Sequence, residues 1–157
     1  MTGSNELKTL MGQDHKSPAV RSWLTSADAD GPRLKKGDTK AYVDLPASGM
    51  YLVFTDAAFF NRQRAAVGAS PLLLTNVTFA SGADPKYTPY SGELPFSLSF
   101  TDTRAGVRER LGEPGLVSTR RPLDRWTIDS LWLYVEYAAD EQSIDNVSLQ
   151  VPDPPSR

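Results

Sequence analysis

Apolar and polar residues alternate through much of this chain, and in two places the apolar spacing changes to three and four. The stretch "LWLYVEY" sends Leu131, Leu133, Val135 and Tyr137 to one side and Trp132, Tyr134 and Glu136 to the other, as a half-buried strand requires. "VSLQV" repeats the pattern, with Val147, Leu149 and Val151 inward and Ser148 and Gln150 outward. "MYLVF" is apolar on both faces, which predicts a more central or more deeply covered strand. Helical spacing begins after Ser17, a capping residue followed by Pro18, with Val20, Trp23 and Leu24 forming an apolar stripe. A second helix is predicted in "DTRAGVRERLGEP". Asp102 or Thr103 caps it, Val107 and Leu111 face the core, Gly112 supplies a left-handed stop and Pro114 prevents continuation. Arg104, Arg108 and Arg110 lie outside that stripe and are expected in solvent, where charges on a helix contribute little individually.

The same elements occur twice in the same order. "SPAVRSWL" (17–24) is matched by "RAGVRERL" (104–111), "KAYVDL" (40–45) by "DRWTID" (124–129), "GMYLVFTD" by "SLWLYVEY", and "LTNVTF" (74–79) by "IDNVSL" (144–149). Each part reads as helix, strand, strand, strand. The prediction is an α+β chain of two tandem pseudo-repeats, each a short helix packed on an antiparallel sheet of three or four strands. The first repeat spans 1–82 and the second 96–151. Between them the Pro-rich segment 83–95 reads as a linker, and 152–157 reads as a flexible tail. The first part carries an extra stretch, "AAFFNRQRAAVGAS", expected to be a hairpin connection that packs Phe59 and Phe60 onto the core. Asn76 and Asn146 match the glycosylation acceptor pattern, but they fall within strands and read as echoes of the repeat.

Composition narrows the chemistry. The chain has 157 residues, enough for a substantial core, and no apolar run approaches the roughly 20 residues of a membrane-spanning helix. The first residues lack the apolar segment of a secretory signal, so a cytoplasmic location is expected. The absence of cysteine removes disulfides, thiolate nucleophiles and cysteine-ligated zinc. One histidine, His15, stands in a polar stretch and reads as a solvated loop residue. No metal or cofactor is expected. Residues 1–82 carry nine basic and seven acidic side chains, and residues 83–157 eight and twelve. That modest asymmetry argues against a nucleic-acid binder and leaves room for a basic protein partner.

From "LPFSLSFTDTRAGVRERLGEP" through "DRW", the aromatic strand and "IDNVSL", about residues 94–151, the sequence resembles the immunity proteins of bacterial polymorphic-toxin and type VI secretion systems. The repeated helix and sheet also resembles the tandem fold of beta-lactamase inhibitory protein and of the small outer-membrane assembly lipoproteins, although the chain has no cysteine to carry a lipid. The resemblance implies a non-enzymatic, cytoplasmic protein that binds a cognate toxin or effector. Neither nucleic acid, membrane nor a small-molecule substrate is implied.

The candidate contact residues follow from what such a surface needs, rigid aromatics and unneutralised acids facing a basic contact surface. Trp132, Tyr134 and Glu136 on the polar side of their strand, with Asp140 and Glu141 in the following turn, fit that need, and Tyr87 and Tyr90 in the Pro-rich segment form a second candidate. Two alternatives stand beside this reading. One is a carboxylate-dependent hydrolase using Asp129 and Glu136, and the other is a structural or adaptor component of a secretion machine that forms a homo-oligomer.

Overall fold

The computed structural model describes residues 3–63, 67–68 and 70–154. Two helices, α1 (Ser4–Leu10) and α2 (Pro18–Ser26), precede strands β1 (Lys40–Leu45) and β2 (Met50–Asp56), a single helical turn α3 (Ala57–Phe60), and strand β3 (Leu72–Ala80). Then come α4 (Arg104–Leu111), a short β4 (Leu116–Ser118), β5 (Leu123–Ile128), β6 (Leu131–Tyr137) and β7 (Ile144–Gln150). All seven strands form one antiparallel sheet in the order β1-β2-β3-β7-β6-β5-β4. The class is therefore α+β with an antiparallel sheet. Every pairing links neighbours in sequence except β3 with β7, which joins the two groups of strands.

Local chemistry explains the elements. Ser17 Oγ accepts the Val20 amide at 3.3 Å, and Val20, Trp23 and Leu24 are buried as their spacing requires. Of the two candidate caps of α4 the structure uses Thr103, whose Oγ1 accepts the Gly106 amide at 3.0 Å. Asp102 instead accepts the Ser99 amide and pairs with Arg110. Gly112 ends the helix at φ 86° but with ψ −166°, an extended exit and not the left-handed turn expected. The β5–β6 hairpin turns on Asp129 and Ser130, both at positive φ, as the twist of a tight two-residue connection demands.

Strand alternation sorts the sheet into two faces. Val43, Leu52, Val77, Leu149, Leu133 and Trp126 lie side by side across six strands and are all buried. Leu7 and Leu10 of α1, the stripe of α2 and Val107 of α4 join the same core cluster. The segment after α1 also reaches the sheet. His15 is not simply solvated, because its amide donates to the Leu72 carbonyl and its Nδ1 accepts the Leu72 amide at 3.1 Å. Nδ1 also lies 3.2 Å from Asp14 Oδ1.

The Pro-rich segment packs closely. The Thr88 amide donates to Pro46 O and the Tyr90 amide to Ala80 O. At Gly49, φ 69°, a Cβ would come within 2.2 Å of Thr88 O, so only glycine lets the segment cross there.

Inside α4 the structure corrects the expectation of solvated arginines. Arg104 is buried and Arg108 partly so, and both direct their guanidinium forks at one carboxylate, Asp124 of β5, which is fully buried. The Nη2 atoms of Arg104 and Arg108 lie 2.8 and 2.7 Å from Asp124 Oδ1, and Tyr137 Oη donates to Oδ2 at 3.1 Å. Arg104 also reaches Glu141 Oε2 at 3.3 Å and donates to the Leu123 carbonyl. The helix pattern could not show this, because the partner acid lies on a distant strand. Arg110 does stay at the surface, bound to Asp102 and the Ser97 carbonyl.

Burial alone would raise the Asp124 carboxyl, but the hydrogen bonds from Arg108 and Arg104 outweigh it and hold the group below its ordinary value. Asp124→Ala leaves two cations without their acid, and is expected to cost about 3–5 kcal/mol in urea unfolding. Because the folded carboxyl titrates below 3.8, its contribution is complete above that pH and is lost as pH falls through and below it. Unfolding free energy measured from about pH 5 down to about pH 2 should fall more steeply in the wild type than in Asp124→Asn.

Candidate functional site

The sheet face opposite the helices is largely uncovered. Its central row runs through Asp44, Tyr51, Thr78, Ser148, Tyr134 and Arg125, one residue per strand from β1 to β5. At the middle, the Thr78 and Ser148 hydroxyls bond to each other at 2.8 Å. These are short side chains, so the floor is low there, and Tyr51 and Tyr134 stand on either side. In the next row lies Trp132, edge-on to Tyr134 with ring centroids 6.3 Å apart. The Arg125 guanidinium sits 4.2 Å from the Trp132 ring centroid and 6.0 Å from that of Tyr134, a cation held by aromatic faces. Among the described residues, its side chain makes no hydrogen bond or ion pair. The neighbouring Glu136 is engaged, accepting from Arg121 at 2.9 Å and from Asn146 at 3.4 Å.

A groove of about 760 Å³ opens on the same face over β1, β2 and β3. Tyr42, Val53 and Asn76 belong to its sheet side, Phe59, Phe60 and residues after α3 to one wall, and Val151, Asp153 and Pro154 to another. The α3 wall is set by Asp56, which is buried and accepts the Ala58, Phe59 and Gly68 amides at 2.9, 3.1 and 2.8 Å. Phe59 does not pack onto the core as expected. It is 47% exposed and lines this groove, because the cap on Asp56 turns the chain across the open face. The inserted stretch otherwise falls partly outside the described residues, at 64–66 and 69. Asp153 and Pro154, expected in a flexible tail, line the groove, and Pro154 O accepts from Arg62 at 3.0 Å. Residues 155–157 of that tail lie outside the described residues.

The candidate contact residues are thus distributed unevenly. Trp132, Tyr134 and Glu136 share the open face. Asp140 accepts the Gln142 amide within the β6–β7 turn, and Glu141 is directed toward Arg104 on the helical side. Tyr87 lies at the other end of the central row, its hydroxyl donating to Asp44 at 2.5 Å and its ring 6.1 Å from Tyr51. Burial, then the hydrogen bond to Asp44, pushes its hydroxyl up to about 12. Tyr90 presents no surface. It is 8% exposed and packs on Phe79 at 4.7 Å, sealing the crossing segment onto the core.

Asp129 and Glu136 do not converge. Asp129 sits in the turn before β6, paired with Lys8 at 2.5 Å, while Glu136 is near the far end of that strand. Among the described residues no three His, Asp or Glu side chains gather as a metal-binding set, and no helix is long and apolar enough to cross a membrane. The reading of the sequence missed Arg125 and the groove. Arg125 was visible in principle, since alternation along "LDRWTI" puts it opposite the buried Asp124 and Trp126.

Comparisons with family models, with curated proteins and with solved structures found no match to this chain.

Because the Arg125 side chain makes no hydrogen bond or ion pair among the described residues and only stacks on two rings, while its neighbour Asp124 is fully buried, substitution should separate the two faces of one strand. Arg125→Gln is expected to change unfolding stability by less than about 1 kcal/mol, against the several lost in Asp124→Ala, with urea denaturation as the measurement.

Proposed function

We propose that this chain is an immunity protein that binds and neutralises a cognate secreted bacterial toxin, using the uncovered sheet face as its contact surface. The observation that carries the reading is the Arg125, Trp132 and Tyr134 cluster, large rigid side chains held in place on the sheet face opposite α1, α2 and α4. Trp, Tyr and Arg are the residue types that dominate binding energy at protein interfaces, and stacking lowers the entropy lost when they are ordered by a partner. Of the two fully buried acids, Asp124 is bound by two arginines and a tyrosine and Asp56 by three backbone amides, so both are engaged within the fold. The hydrolase alternative lacks its carboxylate pair, since Asp129 and Glu136 lie toward opposite ends of β6.

A basic contact surface on the toxin suits the corner where β6 meets β7. Burial raises the Asp145 carboxyl, and the charges of Glu136 and Asp140 raise it further, a like-charge group that a cationic partner would relieve.

The reading includes a duplicated architecture. If two copies of a helix-plus-sheet unit meet about a twofold axis, matched residues must face one another where the axis passes. Thr78 and Ser148 are matched in "LTNVTF" and "IDNVSL", and they are paired directly across β3 and β7. Tyr51 and Tyr134 flank them from the next strands, which supports a twofold relation with Tyr134 as the counterpart of Tyr51 in place of the Trp132 that the sequence match aligns with it.

Co-expression with the toxin-like product of an adjacent gene tests the proposal. Growth should be restored and a one-to-one complex should co-purify. The double variant Trp132→Ala, Tyr134→Ala should lose rescue while keeping its circular dichroism spectrum. Rescue unaffected by that variant would remove this face from the interaction, and a homo-oligomer without rescue would favour the adaptor alternative.

A further inference from the structure

We infer that Arg125 and the groove form a two-point receptor for an extended segment of a partner protein, with a carboxylate side chain on Arg125 and an apolar side chain in the groove. The inference rests on the open face being a protein-binding surface, though not on the partner being a toxin.

The cations of this face are held in different ways. Lys86 is paired with Asp44, Arg121 with Glu136, and Lys40 lines the groove itself. Arg125 has no acid among the described residues, and it is the one whose position is set by the Trp132 and Tyr134 rings. Stacking uses the flat faces of a guanidinium and leaves its in-plane N–H donors free, the edge that binds a carboxylate through two parallel hydrogen bonds. An ammonium ligand would be repelled there, and an apolar ligand would strand the donors.

The second point follows from the register. From Trp132 the row crosses Gln150 and Asn76 to Val53, and Val53, Asn76 and Gln150 all line the groove. Three strand spacings are about 14 Å, which an extended chain covers in about four residues. Among the described residues the Gln150 side chain makes no hydrogen bond, and Asn76 Oδ1 accepts from the Thr78 hydroxyl, leaving amide groups along the path to bind a crossing backbone. At the far end, Tyr42 and Phe59 are large exposed apolar side chains beside Val53. The expected ligand pattern is therefore an Asp or Glu about four residues from a Leu, Ile or Phe.

Selection of a random linear peptide library displayed on phage against the full chain tests this. Enriched peptides should carry an acid and an apolar residue at that spacing. Their binding can be followed by tryptophan fluorescence, because Trp23 and Trp126 are buried and Trp132 is the indole at the site. Arg125→Gln should weaken an enriched peptide at least about tenfold, Arg125→Lys should weaken it less, and selection against Arg125→Glu should replace the acid with Lys or Arg. Peptides without an acid, affinity indifferent to Arg125→Gln, or no enrichment at all would overturn the receptor. Failure of growth rescue with the peptide preference intact would sink the toxin assignment alone.

Discussion

The β3–β7 seam is the pairing on which the rest depends. Without it the protein is two separate runs of antiparallel strands, and with it the inward residues of both form one continuous apolar layer from Val43 to Trp126. The seam is specified on both faces. Val77 opposite Leu149 and Phe79 opposite Val147 fill the core side, while Thr78 and Ser148 bond to each other on the open side. A slip of one residue would turn the apolar set away from the helices and send the hydroxyls into the core, so register and packing enforce each other. At the other end of β3, beyond the reach of β7, residues 12–15 take up the free edge at Leu72 to Leu74.

Counting outward from the seam exposes an asymmetry. Val77 leads through Leu52 to Val43, and Val147 leads through Val135 to Asp124. Equivalent steps end in an aliphatic residue on one side and an acid on the other. The acid is what draws α4 down, because Arg104 and Arg108 are one turn apart and both point to it. On the other side, among the described residues, α2 has no such clamp and meets the core through Val20, Trp23 and Leu24. A buried ion cluster confers orientation more than net stability, since the cost of desolvating its charges offsets much of their attraction. Here it fixes how α4 sits over β5.

Strand faces were legible because alternation is a property of single segments. Leu131 through Tyr137 and Val147 through Leu149 lie as their period demands. The stripe of α2 was equally plain. Helix α1 was hidden, because Leu7 and Leu10 are too few to mark a helix within a polar stretch of seven residues. Features that need two distant segments were hidden as well. Nothing near Arg104 announces Asp124, and nothing near Tyr90 announces that Phe79 will cover it. The groove needed three such coincidences, the capping of α3 by Asp56, the return of the chain past Val151 and the bare surface of β2. The candidate site was therefore half visible, its aromatic strand readable from period and its cation and cavity not.

On β5, Asp124, Arg125 and Trp126 face in, out and in. One carries the clamp, the next carries the free cation, and the third donates its indole N–H to the Gly112 carbonyl at the end of α4. Core packing and the proposed contact are thereby carried by alternate letters of the same strand. Substitutions at neighbouring positions of this strand therefore have separate consequences, for the seating of a helix at one and for the chemistry of an outer surface at the next.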